Sequence, residues 1–272
     1  MPYEVEVFLT KILPASVASG LVLFGLWRWR RAAWPAAVAV TVGFVVGRLL
    51  ALGAAPEIWP VDSTRLVVHF ALLALLLRLV APKLPPGAAI AGRAVVSLAV
   101  PYLLLRTLVE PPWQTPIQHA LWFGAFGGIL FASWWLLEWR GERLRGPSIP
   151  VALIVAATGG SLALVQAHSA GLGQTAALVA GIVGPVALLG FLARDTRAGI
   201  GAASVASLLL PVLWLAGLFF GDELPMASAL LLTVAPLLAF RNWWLSALLA
   251  ALPTAAALYL AIQANPPSPY GY

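Results

Sequence analysis

Between Phe8 and Ala264 the chain repeats one pattern: a run of apolar residues long enough to cross a bilayer, then a short break of proline, glycine or charge. A transmembrane helix needs about 20 such residues. Ten runs can be placed: Phe8–Trp27, Trp34–Ala54, Thr64–Ala81, Ala88–Val109, Pro116–Trp139, Ile149–His168, Gly171–Ala193, Ala198–Phe220, Leu224–Phe240 and Trp243–Ala264. The breaks carry the usual punctuation, as in Ala55-Pro56-Glu57, Glu110-Pro111-Pro112 and the stretch from Pro82 to Gly87. The expected fold is therefore all-α, a polytopic transmembrane helix bundle of about ten spans.

Composition agrees. Hydrophobic residues make up 61% of the 272, and charged residues 10%. A soluble domain carries about 25% charged residues, so the solvent for most of this surface is lipid. That excludes a cytosolic enzyme, a nucleic-acid-binding domain and a disordered chain. The net charge of +6 does not indicate a nucleic-acid partner, because the basic residues are scattered in small groups between apolar runs. No cysteine is present, which excludes disulfides, thiolate metal sites and cysteine nucleophiles.

Charge also orients the bundle. Lys and Arg accumulate on the cytoplasmic side of membrane proteins. With the N-terminus outside, the inside connections and flanking helix ends hold Arg28, Arg30, Arg31, Arg78, Lys83, Arg93, Arg140, Arg143, Arg145, Arg194, Arg197 and Arg241. Glu138, Glu142 and Asp195 join them there. The outside ends hold Glu4, Glu6, Glu57, Asp62, Glu110, Asp222 and Glu223. Both termini are then outside. Glu4 and Glu6 before the first run, with no base, argue against a cleaved signal, and Trp27 to Arg31 forms a strong stop. The expected location is a cell (inner) membrane. Trp27, Trp29, Trp34, Trp134, Trp135, Trp139, Trp243 and Trp244 fall near the inner interface, where indole rings anchor helices.

The chain divides into a first half, residues 1–139, a second half, 140–264, and an unstructured proline-bearing tail, 265–272. The first half carries the embedded basic and histidine residues. The second is rich in small residues and proline. Two five-helix halves would run in opposite senses, as in inverted-repeat transporters, although the halves show no convincing sequence similarity.

Four bases break the inside bias: Lys11, Arg48, Arg65 and Arg106. Arg48 lies about 9 Å from the outer end of its run, at 1.5 Å per residue. An arginine at such depth usually faces a cavity or a partner. His69 and His119 lie about one turn inside their runs, and Arg65 with His69 repeats at i,i+4, as do Tyr102 and Arg106. Arg48, Arg65, His69, Arg106 and His119 are the candidate ligand-binding residues. Glu57, Asp62 and Glu110 are candidate counter-ions. Arginine matches carboxylate and phosphate bidentately, so a small anionic solute or a lipid headgroup is the expected ligand. The competing reading has the arginines snorkelling to the interface.

No metal or cofactor is expected. The two in-span histidines lack a third ligand, and no His-Glu-x-x-His motif occurs. No Asp or Glu lies at mid-span, which argues against a carboxylate proton relay and an aspartyl protease. An enzyme is therefore the weaker class. Two functions remain: transporter-like handling of an anion at an outward-facing basic pocket, or a non-catalytic membrane subunit or assembly factor that docks another membrane protein. Two further features have structural and functional readings. Gly43 and Gly47 form G-x-x-x-G beside Arg48, suiting close helix packing. Pro14, Pro101, Pro185, Pro211, Pro236 and Pro253 either kink their helices or break them around a transport site.

Overall fold

The computed structural model describes residues 3–29, 32–53, 63–105, 115–193, 197–220 and 224–266. Every regular element among them is helical. The first span comprises α1 (Tyr3–Val7), a π-helical turn at Phe8–Ile12 and α2 (Leu13–Trp29). Then come α3 (Trp34–Leu52), a 3₁₀ turn at Ser63–Leu66 leading into α4 (Val67–Val80), α5 (Pro86–Leu105), α6 (Pro116–Arg143), α7 (Ser148–Gln166), α8 (Ala170–Leu192), α9 (Ala198–Phe220), α10 (Met226–Val234) and α11 (Trp243–Ala264). A 3₁₀ turn, Ala235–Leu238, ends the α10 segment. Each of the ten expected runs falls on a helical segment.

Eight helices among the described residues are long and apolar enough to cross a membrane. The α4 helix, 14 residues, and the α10 segment are shorter. Large apolar side chains lie exposed along the helices, among them Leu21, Val95, Ile117, Leu192 and Leu252. A water-soluble monomer rarely exposes such a surface; facing acyl chains, it costs nothing. The chain is a multi-pass membrane protein.

The helix ends follow from local sequence. Thr115 caps α6: its hydroxyl accepts from the Gln118 amide, and the Gln118 side chain accepts from the Thr115 amide. That reciprocal box, with Pro116 at the first helical position, fixes the start. The α3 helix ends at Gly53, whose φ of 65° is the left-handed conformation that glycine adopts without steric cost.

The α9 helix is the axis of the bundle. Every residue from Ala198 to Gly217 is buried, and the helix packs against α3, α4, α5, α6, α7, α8 and α10. Small residues allow this crowding. A β-carbon at Gly201 would overlap the backbone of Ala33 and Ala37, so α3 and α9 meet almost backbone to backbone. The α8 and α9 helices run unbroken through Pro185 and Pro211, which favours the kink reading at both. Departures from α geometry accompany two other prolines. Pro236 lies in the 3₁₀ turn, and Pro14 follows the π turn, where the Leu13 amide reaches back to the Phe8 carbonyl.

One expectation about tryptophan is corrected. Trp134 does not anchor at an interface: it is among the largest fully buried side chains. Trp135, Trp139, Trp243 and Trp244 are exposed, as interfacial residues should be.

Candidate anion cleft at Arg48

Arg48 stands one turn before the end of α3. Its helix is drawn against α8 by the two glycines that precede it. A β-carbon at Gly43 would come within 2.9 Å of Ile182, and one at Gly47 would overlap Leu178. The G-x-x-x-G element is thus a packing surface, and the packing has a consequence for Arg48. With α3 held so close, the guanidinium reaches α8, and Nη1 donates to Thr175 Oγ1 at 2.9 Å. The Thr175 hydroxyl in turn donates to the Gly171 carbonyl at 2.8 Å.

Arg48 forms part of the wall of two adjoining clefts. The larger, about 540 Å³, is lined by Arg48, Arg65, His168, Ser169 and Thr175, with Leu52, Leu213 and Phe220 as apolar wall. The smaller, about 200 Å³, is lined by Lys11, Arg48, Gln174 and Thr175. Lys11 is carried there by the π turn at Phe8–Ile12. Three of the four bases that break the inside bias therefore gather at one end of the bundle. No Asp or Glu occurs among the described residues lining either cleft.

His168 enters the larger cleft from the α7–α8 turn. It has a φ of 51°, the only positive value among the described non-glycine residues. Its amide bonds to the Val165 carbonyl, and the Ser169 amide to the Leu164 carbonyl. This is a Schellman ending with histidine at the left-handed position usually held by glycine. The sequence offers only a weak hint of it, a Gln-Ala-His-Ser-Ala-Gly break between two apolar runs.

Of the other expected site residues, Arg65 lines the larger cleft, whereas His69 and His119 do not. Arg65 belongs to the 3₁₀ turn before α4, so the i,i+4 register with His69 is not that of one continuous α-helix. The His69 Nδ1 is buried and has no hydrogen-bond partner among the described residues. His119 is exposed in the first turn of α6, its ring 6.1 Å from that of Phe123. Tyr102 is exposed and meets Phe123 edge-on. Arg106 and the candidate counter-ions Glu57, Asp62 and Glu110 lie outside the described residues.

The opposite end of the bundle holds a feature that the sequence pattern conceals. Glu138, in the last two turns of α6, is buried. Its Oε2 lies 2.5 Å from Arg93 Nη2 of α5. Its Oε1 accepts from Ser204 Oγ of α9 at 2.6 Å and from Trp134 Nε1 at 3.3 Å, with Arg78 Nη1 of α4 at 3.9 Å. The sequence reading grouped these charges as inner-end residues. Glu138 lies near one end of α6, five residues before Arg143. Its environment is different, however: one buried carboxylate ties four helices together. The available signal was a single acid inside the Trp-rich stretch Trp134-Trp135-Leu136-Leu137-Glu138-Trp139, with unmatched arginines on α4 and α5.

Comparison with protein-family models, curated proteins and solved structures returns no match.

Proposed function

We propose that this multi-pass membrane protein binds a small anionic group in the Arg48 cleft and handles it in a transporter-like manner, the ligand being an anionic solute or a lipid headgroup. The observation that carries this reading is the convergence of Arg48, Arg65 and His168 on one cleft, beside the hydroxyl of Thr175. Arginine offers fixed donors matched to carboxylate or phosphate oxygens, and a cleft with apolar walls strengthens that attraction. Lys11 extends the positive lining into the adjoining cleft. The charge bias of the loops supports an outward-facing cleft, and in this reading the membrane is a cell inner membrane.

Ligand binding stabilises the state that binds, so a thermal-melting screen in mild detergent tests the proposal. The probes are acetate, succinate, inorganic phosphate and glycerol phosphate. A rise in Tm with one class, lost in Arg48→Ala, supports the cleft as the site. A rise of equal size in Arg48→Ala counts against it. No rise with any probe, in a protein that purifies with another membrane protein bound, favours the subunit reading.

A further inference from the structure

We infer a second, separate site at the opposite end of the bundle, built to hold the phosphate of an anionic phospholipid. A cleft of about 460 Å³ opens there between the α6–α7 connection, the end of α8 and the start of α11. Its charged lining comes from Arg145 and Arg241, its polar lining from Ser148 and Asn242, and its aromatic wall from Phe191, Trp243 and Trp244. No acid occurs among the described residues that line it.

The connection that carries Arg241 is held in place. Arg140 Nη1 donates to the Ala239 carbonyl at 2.6 Å. Ser148 Oγ donates to the Arg241 carbonyl at 3.0 Å. Ser246 Oγ accepts from the Phe240 amide at 2.8 Å. The backbone bearing Arg241 is thus fixed from α6, α7 and α11 at once, and next to Arg145 the Gly146–Pro147 backbone packs directly on Gly190 of α8, where a β-carbon would lie 2.7 Å from the Pro147 nitrogen. The backbone beneath the two arginines therefore needs no rearrangement when an anion arrives, and only the exposed side chains are ordered by it.

The cleft's surroundings select a lipid over a soluble anion. Trp243 and Trp244 are exposed, and Phe191 packs edge-on against Trp243 at 5.3 Å between centroids. Exposed tryptophans mark headgroup depth. Directly along α8 from the cleft, Leu188, Phe191 and Leu192 form an exposed apolar track. A phosphodiester placed between Arg145 and Arg241 would lay its acyl chains on that track. Basic pockets between helices at this depth are suited to lipid phosphates. This site shares no lining residue with the Arg48 cleft, so either can fail without the other.

The test is native mass spectrometry of delipidated protein titrated with phosphatidylglycerol or phosphatidylcholine of the same chains. Wild type is expected to retain the anionic lipid preferentially. At about 1 kcal/mol per basic group near the membrane surface, the double variant Arg145→Ala/Arg241→Ala should bind phosphatidylglycerol about 25-fold more weakly. Arg143→Ala, which removes an exposed base of α6 that lines none of these clefts, should leave this preference unchanged. Equal retention of the two lipids by wild type would overturn the proposal, and that arm needs no variant. Displacement of phosphatidylglycerol by millimolar inorganic phosphate would also overturn it, assigning the cleft to a soluble anion instead.

Discussion

Arg48 of α3 donates to the hydroxyl of Thr175 on α8, 127 residues away in the chain. The bond spans the interface at which Gly43 and Gly47 bring the two helices together, and it sets the guanidinium in the wall of both clefts. Packing and charge placement are therefore one arrangement here. Glycine provides the approach, threonine the acceptor and arginine the charge.

Thr175→Val keeps the side-chain shape and removes the acceptor. A hydrogen bond to a charged group contributes about 1.5–3 kcal/mol. The variant should purify normally and show weaker ligand-induced stabilisation than wild type, though not the complete loss expected of Arg48→Ala. A melting screen of the two variants side by side checks this. A Thr175→Val protein indistinguishable from wild type would show that the bond does not position Arg48.

Gly47→Ala tests the packing half of the arrangement. The added methyl meets Leu178 with no free space. Overpacking of this kind costs about 1–3 kcal/mol, so the Tm in detergent should fall. Gly25→Ala on α2 is the control, since a β-carbon there meets nothing, and its Tm should stay level or rise. An unchanged Tm in Gly47→Ala would mean that α3 and α8 separate readily.

His168 allows function to be separated from stability. A non-glycine residue in the left-handed region costs about 1–2 kcal/mol. His168→Gly should therefore raise the Tm while it removes a polar group from the cleft and weakens ligand binding. Opposite shifts in the two readouts are the expected result. A fall in both would make His168 a structural residue.

The buried Glu138 cluster makes the sharpest stability prediction. Removing one member of a buried ion pair leaves the other charges uncompensated and costs about 3–5 kcal/mol. Glu138→Ala would strand Arg93 and Arg78 among α4, α5 and α9. Its yield and Tm should fall well below those of Ser204→Ala, which loses a single hydrogen bond to the carboxylate. Comparable Tm values for the two variants would show that the ion pair contributes little.

The helix pattern was legible because lipid imposes a length on every span and because proline, glycine and charge punctuate the breaks. Even the turn at His168 and the short segment at Met226–Leu238 lay in the sequence. What lay beyond it were rotations and environments. The placement of Arg65 depends on a 3₁₀ turn that shifts it relative to His69, and no periodicity announces that turn. Glu138 sits near a helix end, where an acid ordinarily meets water. Only the packing of α5 and α9 against α6 shows that it does not. His168 reached the cleft through a left-handed turn residue, a backbone property that side-chain spacing does not reveal.

The central claim is that Arg48 holds an anion in a membrane-embedded cleft. Its most direct test is a native mass spectrum of the protein released from its own membrane, wild type beside Arg48→Ala. The account predicts a co-purifying anionic molecule or lipid on wild type that is missing from the variant, with the two proteins otherwise equally folded. An identical set of bound species on both, so that nothing is lost with Arg48, or a stoichiometric protein partner with no small ligand on either, would contradict it.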